Sequence, residues 1–383
     1  MRICEAIKNP SIRAGLLRSL NNLGPMVEDN LKRYGYILEY AEELKKVKLE
    51  IAENYGYWVD KAIKKLEKDA EVYTAENAKK ANQIIGEIVG EGKIVVKAKS
   101  MVSEEIHLRE YLQKLGNEVW ETDLGELIIQ VANQRPMHVL APAILFSEKD
   151  VIEILRKMEI EGRNAEELAR NVREFLREKF KNAHFGISGC NAFSVENARI
   201  FLVENEGNIR LATSLPRHYV AIVSIDKLLP DDNFALKSII VQSAFLGTFP
   251  PSYINVNRPR NGQKMYVVFL DNGRSEAPEK LKEQLACIKC GRCQLECPVY
   301  QIVGNIWGGE TYTGPMGIGW SAITNTSSIE EDVYLCCLCG RCTEIYPMKI
   351  DISAIVRYLR RNYVKNRSKN PAFYQQISAE GGI

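Results

Sequence analysis

The sequence predicts an α/β chain in three parts: a helical N-terminal region, a mostly parallel sheet covered by helices, and a small α-helical domain built around cysteines. Three observations carry this reading. Apolar residues recur at helical spacing in residues 1–70, and β-rich runs alternate with helical ones from 71 to about 275. Eight of the ten cysteines then fall between Cys287 and Cys342. At 383 residues the chain is long enough for two or three domains with cores of their own.

The elements follow in order. Ile12, Leu16, Leu17 and Leu20 share one helical face, as do Ile37, Leu38, Tyr40, Ala41 and Leu44. Gly24-Pro25 is expected to break the first helix from the second. Charged residues around 45–48 and 61–68 are the wet side of these helices. Residues 93–99 read as a strand. Ser103 then reads as an N-cap, with Glu104 and Glu105 in the first turn, where the helix dipole favours carboxylates, and Gly116 as the stop. A strand at 118–122, a helix at 124–133 and a strand at 138–145 come next. Ser147 opens another helix, with Asp150 three residues on. After a helix at 165–180, residues 198–203 and 208–213 read as strands of a hairpin turning at Gly207, and 219–224 and 265–270 add two more. Residues 278–286 form a short helical lead into the cysteines. The expected division is 1–70, 71–275, 276–365 and a tail at 366–383.

Composition excludes several function classes. Hydrophobic residues at 45% and charged residues at 26% describe an ordinary globular chain. A net charge of +2 without a long basic run points away from nucleic acid. No apolar run approaches the roughly 20 residues that span a bilayer, and the N-terminus lacks the features of a secretory signal. Clustered thiols at metal spacing favour a reducing, cytoplasmic compartment over disulfides.

The cysteines form one ladder twice. The first copy is Cys287-x2-Cys290-x2-Cys293-x3-Cys297-Pro298; the second is Cys336-x2-Cys339-x2-Cys342-x3-Tyr346-Pro347. This spacing wraps cubane iron–sulfur clusters, and in two-cluster ferredoxins the fourth cysteine of each ladder ligates the other cluster. Cys297, Cys336, Cys339 and Cys342 then complete one 4Fe-4S cluster. Cys287, Cys290 and Cys293 hold a second that looks to Tyr346 for its fourth bond. That second site is a 4Fe-4S cluster with one open iron, bound by water, tyrosinate or a partner's ligand, or else a 3Fe-4S cluster. A zinc ribbon fits poorly, because three cysteines at x2-x2 spacing overfill a tetrahedral site. Gly291 and Gly340 permit the tight turns between thiolates. Cys337, Cys4 and Cys190 read as small buried thiols, and Ile352, Ile355, Val356 and Leu359 mark a helix after the second ladder.

These residues resemble the lactate-utilisation iron–sulfur protein B family, in which a LUD domain is joined to a two-cluster ferredoxin-type domain. The resemblance runs from about residue 3 to 365. It rests on segments 6–13, 96–106, 121–126, 135–138, 141–143, 205–208, 215–217 and 270–274, and on 307–309 with 312–317 between the ladders. It implies a LUD fold similar to the sugar-phosphate isomerase and CoA-transferase superfamily. It also implies an iron–sulfur subunit of a multi-protein L-lactate oxidation system; the alternatives are an electron-transfer subunit for another hydroxy acid, glycerol 3-phosphate or a heterodisulfide, or a LUD domain with its own catalytic or acyl-handling site. The implied partners are a cysteine-rich iron–sulfur subunit and a second LUD protein, through which the chain could reach a membrane surface. Two departures stand out: Tyr346 replaces the usual cysteine, and the chain ends at Ile383, where relatives carry a longer tail.

Substrate chemistry has two candidate loci. Lys97, Lys99, Glu104 and Glu105 gather where a strand gives way to a helix, the usual ligand crevice of open α/β sheets. There the lysines would bind a small hydroxy acid, with Glu104 or Glu105 as general base. The plainer reading has the carboxylates capping the helix and the lysines facing water. Arg210 and Arg217 suit an anion clamp, since guanidinium matches carboxylate bidentately. The glycine-rich segment 186–191 fits neither a dinucleotide fingerprint nor a P-loop. The four histidines are scattered.

Overall fold

The computed structural model describes residues 3–138, 142–326 and 328–368. Four helices open the chain: α1 (Ile3–Lys8), α2 (Pro10–Arg33), α3 (Tyr36–Glu53) and α4 (Tyr55–Leu66). Asn9 caps α2 by accepting the Ser11 N–H, and Pro10 stands in the first turn, where its missing donor is not needed. Contrary to expectation, α2 runs unbroken through Gly24-Pro25. The proline forfeits one backbone bond at a cost of ~3 kcal/mol. Ile12 and Leu16 before it and Val27 after it are all buried, each stabilising by roughly 1.5–3 kcal/mol, and together they outweigh that cost.

The middle of the chain alternates strands and helices: β1 (Glu71–Ala75), α5 (Ala78–Val89), β2 (Ile94–Lys97), α6 (Met101–Glu105), α7 (Leu108–Lys114), β3 (Glu118–Glu121), α8 (Leu124–Ala132), α9 (Glu148–Arg156), α10 (Ala165–Asn182) and β4 (Phe185–Ser188). Then come β5 (Ala192–Ser194), β6 (Arg199–Glu204), α11 (Asn208–Ser214), β7 (His218–Ser224), β8 (Leu228–Leu229), α12 (Asp232–Leu246), β9 (Tyr253–Asn257) and β10 (Lys264–Leu270). Six strands pair in the order β1-β10-β7-β4-β2-β3, every neighbour parallel. Alternate residues serve opposite faces. Val95, Val220, Ile222, Val268 and Leu270 pack with Ile85 of α5 and Leu108 and Leu112 of α7. Val96, Ala221, Val223, Val267 and Phe269 join a larger core that continues into the cysteine-bearing region. A four-stranded sheet, β8-β5-β6-β9, stands beside the first.

The C-terminal region is helical: α13 (Arg292–Glu296), α14 (Tyr300–Val303), α15 (Gly314–Thr324), α16 (Asp332–Leu335), α17 (Arg341–Ile345) and α18 (Ile352–Ser368). Helix α2 packs on α12 and also on α13 and α14, so the N-terminal helices bridge the sheet region and the cysteines.

Three local readings are corrected. Ser103 is not an N-cap: Ser100 precedes α6, and the Ser103 hydroxyl donates to the Ser100 carbonyl. That helix also stops early, because His107 turns left-handed (φ 51°) before α7 begins. Residues 208–213 are not a strand but α11. Gly207 (φ 78°) forms its cap, and Glu204 accepts the Arg210 N–H. Residues 142–145 and His138 are turns and bends rather than a strand, and 139–141 lie outside the described residues. The backbone there is spent elsewhere: the Met137 N–H donates to Pro142, and the Met137 carbonyl accepts the Tyr300 hydroxyl.

Candidate metal centre and the pocket beside it

The two ladders share one local backbone. Lys289 and Leu338 occupy the same rung in left-handed conformation (φ 58° and 54°), and each donates its N–H to the first sulfur of its ladder at 3.4 Å. Gly291 and Gly340 (φ 75° and 74°) then start α13 and α17. Cys297 (φ −76°, ψ 120°) and Tyr346 (φ −85°, ψ 133°) close the ladders in matching extended geometry.

Side chains then cross over. Cys297 lines one hollow together with Cys336, Cys339 and Cys342 of the other ladder. Tyr346 sits with the first ladder: its hydroxyl donates to the Cys287 sulfur at 2.8 Å and accepts the Ile288 N–H at 3.0 Å. Exposure is graded. Cys287 and Cys290 are wholly buried and Cys293 nearly so, whereas Cys336 and Cys342 are half-buried and Cys339 is exposed. Burial pushes the Cys290 thiol up to about 12, and Cys293 well above its ordinary value. It raises Cys297 to about 12 and Cys342 to about 11. Such buried thiols keep their protons unless a metal displaces them; the ladder spacing and the crosswise convergence of the side chains are what fit clusters of iron. Cys337 is exposed rather than buried, as is Cys4, while Cys190 is half-buried.

Behind the first ladder lies a buried charge network. Arg274 meets Glu105 through two bonds (2.9 and 2.7 Å) and reaches Asp226 at 2.5 Å. Asp226 also accepts from Lys289 at 2.8 Å, and its carbonyl accepts from Lys48. Tyr312 and Asn272 donate to Glu105 at 2.5 and 2.6 Å. Burial alone would raise the Asp226 carboxyl, but Lys289 and Arg274 hold it well below its ordinary range. Sequence reasoning missed Asp226, Arg274 and Lys289. The one signal was a lysine in the first ladder where the second has leucine.

Of the residues proposed for substrate chemistry, Lys99 and Glu104 line a pocket. It opens beyond the carboxyl ends of β2 and β3, and Thr311 and Thr313 of the inter-ladder segment close its far side. Lys99 pairs with Glu126 at 3.1 Å. Lys97 does not face water: it is wholly buried between Glu104 (2.9 Å) and Glu121 (2.8 Å). Burial raises the Glu121 carboxyl to about 7, while Lys97 holds Glu104 below its ordinary value against the same effect. Glu105 lies in the charge network, 1% exposed. Neither Arg210 nor Arg217 lines the pocket. Arg210 pairs with Glu204 at 2.9 Å and covers the Tyr253 ring, and Arg217 borders a separate surface hollow near Lys264. His138 joins the pocket to the first ladder, its Nε2 lying 3.2 Å from the Gly291 carbonyl. Arg135 donates to the Gly309 and Glu310 carbonyls at 2.9 and 2.8 Å, which ties the pocket wall to the inter-ladder segment.

No helix among the described residues is long and apolar enough to cross a membrane. Comparison with known proteins agrees with this two-part build. Residues 59–272 match the LUD domain model and residues 283–350 the 4Fe-4S dicluster domain model. Lactate utilization protein B of Lysinibacillus sphaericus is 31% identical, with 100% of this chain and 84% of that protein covered. Its namesake in Anoxybacillus flavithermus is 34% identical over 86% and 73%, and that of Shouchella clausii 35% over 84% and 70%. A DUF162 family protein of Deinococcus radiodurans has a TM-score of 0.34 at 9% identity, over 57% of this chain and 98% of that one, too loose a likeness to argue from. With a LUD domain, a 4Fe-4S dicluster domain and these relatives, the chain belongs to the lactate utilization protein B family.

Proposed function

We propose that this chain is an iron–sulfur electron-transfer subunit of a multi-subunit system that oxidises L-lactate to pyruvate. The observation that supports this best is the crosswise pairing of the ladders together with their graded exposure. In this reading Cys297, Cys336, Cys339 and Cys342 hold a 4Fe-4S cluster near the surface. Cys287, Cys290 and Cys293 hold an interior cluster, either 4Fe-4S with one iron lacking a thiolate or 3Fe-4S. When bound, such clusters supply one-electron transfer.

The protein's own residues insulate and expose. The first ladder is sealed from water by the core and by the N-terminal helices. The second presents Cys339 to a partner, here a cysteine-rich iron–sulfur subunit or a second LUD protein. We take 71–275 as the LUD unit, with the helices of 1–70 packed on it, and 276–365 as the cluster unit. The working compartment is reducing and cytoplasmic, with any membrane contact made through partners.

A second reading has the LUD domain handle the hydroxy acid itself, and the pocket between the two regions favours it. Lys99 would anchor the substrate carboxylate, and Glu104, ionised beside Lys97, would take the hydroxyl proton, while the two electrons would pass one at a time through the clusters to the external acceptor and the second proton would go to solvent. One experiment separates the two. Anaerobic chain is mixed with L-lactate and an artificial acceptor, with and without the partner subunits. Turnover only with partners supports the electron-transfer reading, and turnover by the chain alone supports the second. Clusters that stay oxidised in both mixtures contradict both.

A further inference from the structure

The two ladders are backbone copies, so a difference in side chain at a matched rung isolates a difference in purpose. The residue before the second cysteine is Lys289 in one ladder and Leu338 in the other. Both stand at positive φ, and both donate the same N–H···S bond. Lys289 carries its amine into an interior where only 5% of the residue is exposed. Its ammonium lies 2.8 Å from Asp226 and 4.2 Å from the centre of the Trp320 ring. Such a residue is expensive to bury and must be held from several sides.

The holders come from outside the ladder. Asp226 follows β7, Arg274 follows β10, Glu105 ends α6, and Lys48 lies on α3. Two cations, Lys289 and Arg274, face two carboxylates, Glu105 and Asp226, and the Lys48 amine, which burial brings down to about 7, reaches the Asp226 carbonyl. Lys227 adds another cation nearby. The second ladder has Arg360 at the Cys336 carbonyl (2.7 Å), but that side chain is only part-buried, and solvent screens it.

We propose that Lys289, anchored by Asp226 and Arg274 of the LUD side, is a positioning residue that fixes positive charge beside the first-ladder cluster and raises its reduction potential. The reduced cluster is the more negative form, so nearby positive charge favours it, and in this dry interior the effect is weakly screened. The LUD domain thereby sets the potential of a cluster in its neighbour. This inference rests on the presence of clusters in the proposed function.

The test is an EPR-monitored redox titration of the anaerobically purified full chain. Lys289→Met should lower the midpoint potential of one cluster and leave the other in place. Lys289→Arg should restore it. A tenfold change in the reduced-to-oxidised ratio at fixed potential, about 59 mV for a one-electron couple, is the expected scale. Asp226→Asn, which removes the counter-charge, should move the same midpoint upward. Leu338→Lys should raise the other cluster instead. If the Met and Asn variants shift in the same direction, or none moves a midpoint while clusters are intact, the assignment is wrong. A chain that holds no clusters would instead contradict the proposed function itself.

Discussion

Tyr346 shows how one residue changes the character of a site without changing its backbone. Its phenol stands where a thiolate would bond iron, and instead donates to Cys287 and accepts the Ile288 N–H. Tyr346→Phe strands that buried N–H and removes a bond to sulfur, so anaerobic urea unfolding should show a loss of about 1–3 kcal/mol. A second residue-scale prediction concerns Glu121. Burial raises its carboxyl to about 7 in the folded chain. The folded state therefore keeps a proton that the unfolded chain has already released. The stability this contributes is full below the unfolded value of about 4.3 and disappears as pH rises through about 7. From pH 5 to 8 the unfolding midpoint of the natural chain should fall relative to that of Glu121→Gln, and a constant difference would contradict the shift. The sequence showed the thiols because coordination fixes their spacing locally. It could not show the partners of Lys97 or Arg274, since Glu105 and Arg274 lie 169 residues apart.

At the scale of elements, four of the six parallel strands, β2, β3, β7 and β10, were legible from their β-rich runs, whereas β1 and β4 went unread. The reading failed where side-chain capping overrode local composition. Residues 208–213 carry Ile209, Leu211 and Thr213, which suit a strand as well as a helix. Glu204 and the left-handed Gly207 decide for α11. Gly207→Ala places a β-carbon at φ 78°, and a loss of about 1 kcal/mol in thermal or urea unfolding is the expected outcome. An unchanged midpoint would mean that α11 does not depend on that turn. The uninterrupted α2 teaches the same lesson, since Pro25 reads as a breaker until the buried face on both sides of it is known.

Across the whole molecule, the LUD sheet, the N-terminal helices and the cluster region share one interior. The charge network is its most polar part, and its members depend on each other. Arg274→Met leaves Glu105 and Asp226 short of their main partner, and loss of one member of a buried pair costs about 3–5 kcal/mol. Differential scanning of the purified variant should therefore show the LUD and cluster regions destabilised together, while independent melting of the two would contradict a shared interior. The crosswise ladders sit at the end of this interior, one sealed and one open to the surface. The most direct measurement of the central claim is iron and sulfide content with EPR on anaerobically purified natural chain and Cys297→Ser. The account predicts about seven or eight irons per natural chain. It also predicts that Cys297→Ser disturbs the cluster of Cys336, Cys339 and Cys342 while the first-ladder signal persists. Loss of the first-ladder signal in that variant, or a natural chain with little iron, would contradict it.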